Sequence, residues 1–273
     1  MSPQQYCRDR IAGTASWYAA LFTTAQSRNA VEATLALVSE LTAIPRECSE
    51  PGVARTKLNW WHEDILRAQA AQPQHPGLQA WVASRPDRDP EVAGLLELVA
   101  GLATVPTRPP GEDFPQLAQQ HQRTGRAVGR LIVQATEPDA GDALPLAEDL
   151  GSRIHLAEAL ADLQAPSATA LGEVGHHGPP ATATRPGIER VRAGLERSLQ
   201  DLKGAGVRPL IPLLVLARIN LARLAASEPQ PERPGRSPTG LHPIRMLWIA
   251  WRTAVAARPH GPDRPLPRPR ERE

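Results

Sequence analysis

Glu47-Cys48-Ser49-Glu50-Pro51-Gly52-Val53-Ala54-Arg55-Thr56-Lys57-Leu58-Asn59-Trp60-Trp61 is the stretch from which the rest of the chain is read. Pro51-Gly52 reads as a turn, and residues 57–71 as a helix with Leu58, Trp61, Ile65 and Leu66 on one side. The adjacent tryptophans read as packing groups, because large aromatic side chains dominate core energetics wherever they occur. Immediately upstream, residues 28–44 repeat Val31, Leu35, Val38 and Thr42 at steps of four and three, the period of an amphipathic helix. That period places Thr42 on the buried stripe. Pro45 has no N–H to donate and disfavours helix at Ile44, so this helix is expected to stop there.

Other segments carry the same period. Residues 6–22 read as a first helix leading to a turn, and Pro73-Gln74-His75-Pro76 as a turn with His75 at the surface. Val92, Leu95, Leu96 and Val99 mark a helix over residues 91–102, followed by a Pro-rich connection at 105–111. Residues 117–134 return to helix, with Gly125 and Gly129 four apart as a sign of close helix packing. Arg123, Arg126 and Arg130 on that helix read as a solvated face, with an anion site as the alternative. A helix over 146–163 precedes a loop containing His176 and His177, which lack a further ligand at regular spacing. Residues 188–202 and 212–226 read as two more helices, 228–239 as a polar Pro-rich linker, and 244–257 as a last helix burying Ile244, Leu247, Trp248, Trp251 and Val255. The total is about eight helices without a strand pattern.

Composition agrees with that pattern. Of 273 residues, 41% are hydrophobic but only 4% aromatic, which describes a core of Leu, Val, Ile and Ala and favours helix over strand. One helical domain over residues 1–258 is expected, with a disordered Pro- and Arg-rich tail at 259–273. A formal net charge of +2, evenly mixed, argues against a nucleic-acid surface. Cys7 and Cys48 have no metal-ligand spacing and are too few for a disulfide scaffold, which fits a reducing cytoplasm. The N-terminal residues lack the basic and apolar regions of a signal peptide. The apolar run 213–217 ends at Arg218, far short of the ~20 residues that span a bilayer. The reading is a cytoplasmic chain, at most peripheral to a membrane.

The wording of several segments resembles the squalene/phytoene synthase family, nearest to its presqualene diphosphate synthase branch. Residues 47–61 are similar to that branch's E-C-x-D-P-G-V-A-R-T-K-L-x-W-W, and Tyr6, Cys7, Tyr18, Leu21 and Phe22 match its first segment. Arg123, Val128 and Gly129 match its Y-C-H-R-V-A-G-V-V-G, and residues 241–252 its final helix. Departures are Thr14-Ala15 for paired serines, Thr23-Thr24-Ala25 for Leu-Pro-Pro, and Gln120 for a tyrosine. The resemblance implies an all-α, isoprenoid (terpenoid) synthase-like antiparallel helix bundle around a central apolar cavity, with two aspartate-bearing helices facing each other across its mouth. It also implies Mg²⁺-dependent head-to-head condensation of prenyl diphosphates, with Tyr18 and Arg123 at substrate-binding positions.

The positions that carry this chemistry in relatives are altered here. The family's R-E-V-D-D-V-V-D-E falls on residues 39–47, and its two ligand positions are Thr42 and Arg46. Carboxylates at (i, i+4) present oxygens from adjacent turns to a hard cation; threonine is a poor ligand and arginine repels a metal. In the second motif Asp162 remains, the arginine before it is Ala161, and its partner position is Pro166 or deleted. Glu158 replaces an asparagine and forms a new carboxylate pair with Asp162. The resemblance therefore leaves Glu158 and Asp162 as catalytic candidates and assigns no metal ligand. With these positions altered no cofactor is expected, Mg²⁺ entering only if activity is retained.

The function expected is that of a catalytically degenerate family member acting as a binding or assembly partner, its occupant a protein (a prenyl synthase or a membrane complex) or a prenyl lipid. Active condensation and prenyl-lipid carriage are the alternatives. Across the mouth Arg46 is expected to face Glu158 or Asp162, an arginine fork standing where relatives bind metal.

Overall fold

Eleven α-helices and two short 3₁₀ turns, without a strand, make up the described residues of the computed structural model. These are 1–48, 50–85, 92–104, 114–164, 181–202, 208–226 and 241–257, with backbone alone at 116, 162–164 and 181–184. The connection at 105–111, the His176-His177 loop, Pro166, the linker at 228–239 and the tail at 259–273 lie outside them.

The first segment is two helices, not the single one expected. α1 (Pro3–Ile11) starts with Ser2 accepting a hydrogen bond from the Gln5 N–H and with Pro3 in its first turn. It ends before Gly13, whose φ of +74° is open to glycine at no steric cost. Thr14 then donates its hydroxyl to the Ile11 carbonyl at 2.6 Å and caps α2 (Ala15–Leu21). α3 (Arg28–Glu47) runs straight through Pro45, three residues beyond the predicted stop. Ile44 and Pro45 are both buried, and their packing outweighs the hydrogen bond that proline cannot give.

α4 (Pro51–Gln69) begins at Pro51, so Pro-Gly is its first turn and not a separate bend. Leu58, Trp61 and Ile65 are buried as expected, but Leu66 is 45% exposed; Asp64 and Ala68 complete the inward face. The Pro73–Pro76 turn opens an unforeseen helix, α5 (Pro76–Ala83), capped by His75. Then come α6 (Ala93–Leu102), α7 (Phe114–Thr136), α8 (Leu144–Gln164), α9 (Ala181–Asp201), α10 (Ile211–Ala226) and α11 (Pro243–Ala256).

α7 and α8 approach to backbone contact. A Cβ added at Gly125 would sit 2.5 Å from the Ser152 Cα, one at Gly129 would run into the Ala147 carbonyl, and one at Gly151 into the Gly125 carbonyl. Glycine is required at all three because the obstruction is backbone, which cannot rotate away. α10 lies against α2, α7, α8, α9 and α11 and is buried almost all round. Residues 208–226 have the length and composition of a membrane span, yet most of that surface is covered by the other helices.

α11 is turned the other way from its expected orientation. It buries Ala250, Thr253, Ala254 and the following Ala257, while Ile244, Leu247, Trp248, Trp251 and Val255 face outward. Small residues let its axis approach α10 closely, and bulky ones on that side would hold the helices apart.

Candidate functional site

The first altered motif lies on the last turns of α3. Thr42 is half-buried and donates its hydroxyl to the Val38 carbonyl at 2.8 Å, with Ser39 O at 3.3 Å. One turn on, Arg46 stays in the helix, exposed, with its Nε donating to Thr42 O at 3.2 Å. A hydroxyl committed to the main chain and a guanidinium do not fit a Mg²⁺ ion, which takes several free oxygen donors. Among the described residues no cluster of three or more His, Cys, Asp or Glu side chains could hold a metal.

α8 carries the second motif. His155 is buried, and its imidazole is pushed down to about 3, first by burial and then by the charges of His121 and Arg46. Arg46 therefore lies within electrostatic reach of α8. The His155 and His121 rings, from α8 and α7, are tilted at a centroid separation of 4.9 Å, and His155 Nε2 is buried without a hydrogen bond. Glu158 accepts from Asn220 Nδ2 of α10 at 3.3 Å; the same nitrogen donates to Leu216 O at 3.0 Å. Ala161 is buried, and Asp162 is placed in α8 by its backbone alone. Tyr18 is buried in α2, whereas Arg123 is exposed on α7 and makes no hydrogen bond among the described residues.

Arg123 and Arg126 are exposed, as a solvated face requires; the exception is Arg130. It bridges Glu97 of α6 at 2.9 Å and Glu148 of α8 at 2.7 Å, and the Glu148 hydrogen bond, foremost among several causes, raises its pKa. His121, His155 and Asn220 were not singled out from the sequence. Asn220 interrupts an apolar run, and His155 sits between Ile154 and Leu156, a polar residue among buried neighbours, which is the signal that could have found those two; His121, within the polar stretch 119–123, carries no such signal.

A second polar cluster surrounds the tryptophan pair, in a cleft of about 310 Å³ between α1, α3, α4 and the start of α5. Glu40 of α3, with its side chain 10% exposed, accepts from the Tyr6 hydroxyl at 2.6 Å, lies 3.2 Å from His75 Nε2, and has Arg10 Nε at 3.5 Å. The Gly77 N–H donates to His75 Nδ1 at 3.1 Å, which leaves Nε2 to carry the proton toward Glu40. Burial alone would raise the Glu40 carboxyl, but the hydrogen bonds of His75 and Tyr6 and the electrostatic attraction of His75 and Arg10 hold it below its usual value. Burial, then the Glu40 hydrogen bond, pushes the Tyr6 phenol up to about 12.

His75 is thus not the surface residue predicted. Its ring lies 4.4 Å from that of Trp61 and 5.4 Å from that of Tyr6. Its backbone N–H and that of Gln74 donate to the fully buried Asp64 carboxylate at 2.9 and 2.8 Å, and Arg67 adds a contact at 3.0 Å. Trp61 is buried as a packing group; Trp60 is 40% exposed on the cleft wall. Both Glu40 oxygens are engaged, so the cluster clamps α1, α3, α4 and α5 together.

An all-helical bundle that sets α3 within electrostatic reach of α8 has the architecture of the isoprenoid synthases. The crystal structure of a dehydrosqualene synthase in complex with ligand aligns with a TM-score of 0.67, covering 93% of this chain and 95% of that one at 12% identity, a likeness of fold. The squalene/phytoene synthase family model matches residues 12–169. The chain belongs to the squalene/phytoene synthase family. A search of curated proteins found no match.

Proposed function

We propose that this family member has lost head-to-head condensation and serves isoprenoid metabolism as a binding or assembly partner, engaging a prenyl synthase or a membrane complex. The observation that carries this reading is the pair on α3: the Thr42 hydroxyl turned onto its own helix, and Arg46 one turn further on. Condensation requires the departing diphosphate to be stabilised by cations, and metals supply several kcal/mol of that stabilisation. One guanidinium does not replace a cluster of dications, and Ala161 removes a further positive charge where relatives have arginine.

In this reading Arg46 latches the mouth by pairing with Glu158 or Asp162. Its support is the effect of Arg46 on His155, which precedes Glu158 by three residues on α8 and so shares a helix face with it. The test of function is incubation with farnesyl diphosphate, Mg²⁺ and NADPH. No presqualene diphosphate or squalene should form above a blank without protein. Product that disappears in the Asp162→Asn variant would overturn the proposal.

A further inference from the structure

The outward face of α11 is the most apolar exposed feature among the described residues. Ile244 is 71% exposed, Trp248 52% and Trp251 53%, and Leu247 and Val255 share the same side. These five positions follow the helical period over a stripe about 16 Å long at 1.5 Å per residue. A contiguous row of large apolar side chains, unlike scattered single ones, marks an interaction surface.

The charge beside the row has one sign. α11 contains Arg245 and Arg252 and no Asp or Glu. The Arg252 guanidinium sits 4.6 Å over the Trp248 ring, and Arg218 of α10 lies near enough to feel its charge. Burial and then Arg252 both disfavour the charged form of Arg218. Among the described residues none of these three side chains has an ion pair, so an anion placed here would relieve a repulsion that the fold leaves standing.

We propose that α11 docks on the surface of an anionic lipid bilayer, with Trp248 and Trp251 at the boundary between headgroups and acyl chains and Arg218, Arg245 and Arg252 on lipid phosphates. Tryptophan suits that boundary because it has an apolar ring and a polar N–H, and arginine because its stem packs on apolar surface while its head reaches phosphate. A second copy of this chain fits less well, since a twofold contact would return the same arginines upon themselves. The apolar α10 is buried in the bundle and takes no part, so the contact is peripheral. The proposal is independent of whether condensation is retained.

Flotation of the full chain with vesicles tests it. Each basic side chain near an anionic surface strengthens binding roughly fivefold, so three give on the order of a hundredfold preference for vesicles containing one-third phosphatidylglycerol over phosphatidylcholine alone. Adding salt should weaken that binding. The Trp248→Ala/Trp251→Ala variant should lose about tenfold or more with its helix content and melting temperature kept, because both rings are exposed. The Arg245→Gln/Arg252→Gln variant should cut the preference for anionic lipid to roughly fivefold, the share left to Arg218. Equal binding to both vesicle types, or an alanine variant that floats like the parent, would overturn the proposal. A dimer in sedimentation analysis that the alanine variant abolishes would overturn it too, by assigning the face to a second copy.

Discussion

His155 is held neutral inside the bundle, and that has a measurable consequence. Its folded value of about 3 lies far below the ordinary histidine value of about 6.5, so between the two the unfolded chain binds a proton that the folded one does not. Stability contributed by the neutral ring is present above the unfolded value and falls as the pH drops below it, by up to about 1.4 kcal/mol per pH unit. A His155→Gln variant, compared with the parent by urea unfolding at pH 5 and pH 7, should lose less stability on acidification. Parallel losses would contradict the assignment. Arg46→Ala should raise the His155 imidazole value in an NMR titration, since one depressing charge is gone. If Arg46 latches the mouth, the same variant should also be less stable than the parent at neutral pH.

At the scale of elements, the α7–α8 contact and the start of α4 make opposite predictions for one kind of substitution. Gly129→Ala and Gly151→Ala place a methyl group against backbone, and each should cost about 1–3 kcal/mol or more in denaturant unfolding. Gly52, in the first turn of α4, has nothing within 4 Å of an added Cβ and no positive φ. Gly52→Ala should stabilise by up to about 1 kcal/mol, the helix preference of alanine over glycine. A tolerated Gly129→Ala would mean that the two helices sit further apart than described.

For the whole molecule, a cation bound only by the native state must raise its melting temperature by mass action. With Thr42 and Arg46 in place of carboxylates, millimolar Mg²⁺ should leave the melting temperature unmoved within error. A rise of several degrees would place a metal site in the protein and return condensation to consideration.

The sequence by itself determined the helical class and the family. Both are written in short-range signals: apolar residues at the helical period, and the wording of residues 47–61 and their neighbours. The Gly125–Gly129 spacing likewise announced a close helix contact, though its partner Gly151 could be named only once α8 lay against α7. Only the tertiary structure decided which faces turn inward. α11 has a clear apolar stripe, yet periodicity cannot say whether a stripe or the small residues behind it meets α10; the closeness of approach settles that. His75 could not be placed from a Pro-rich turn because its surroundings come from Tyr6, Glu40, Trp61 and Asp64, on three other helices. The interior pair of His121 and His155 is hidden for the same reason. Burial, charge and hydrogen bonding at such positions are sums over neighbours remote in the chain, and those sums exist only after the helices have packed.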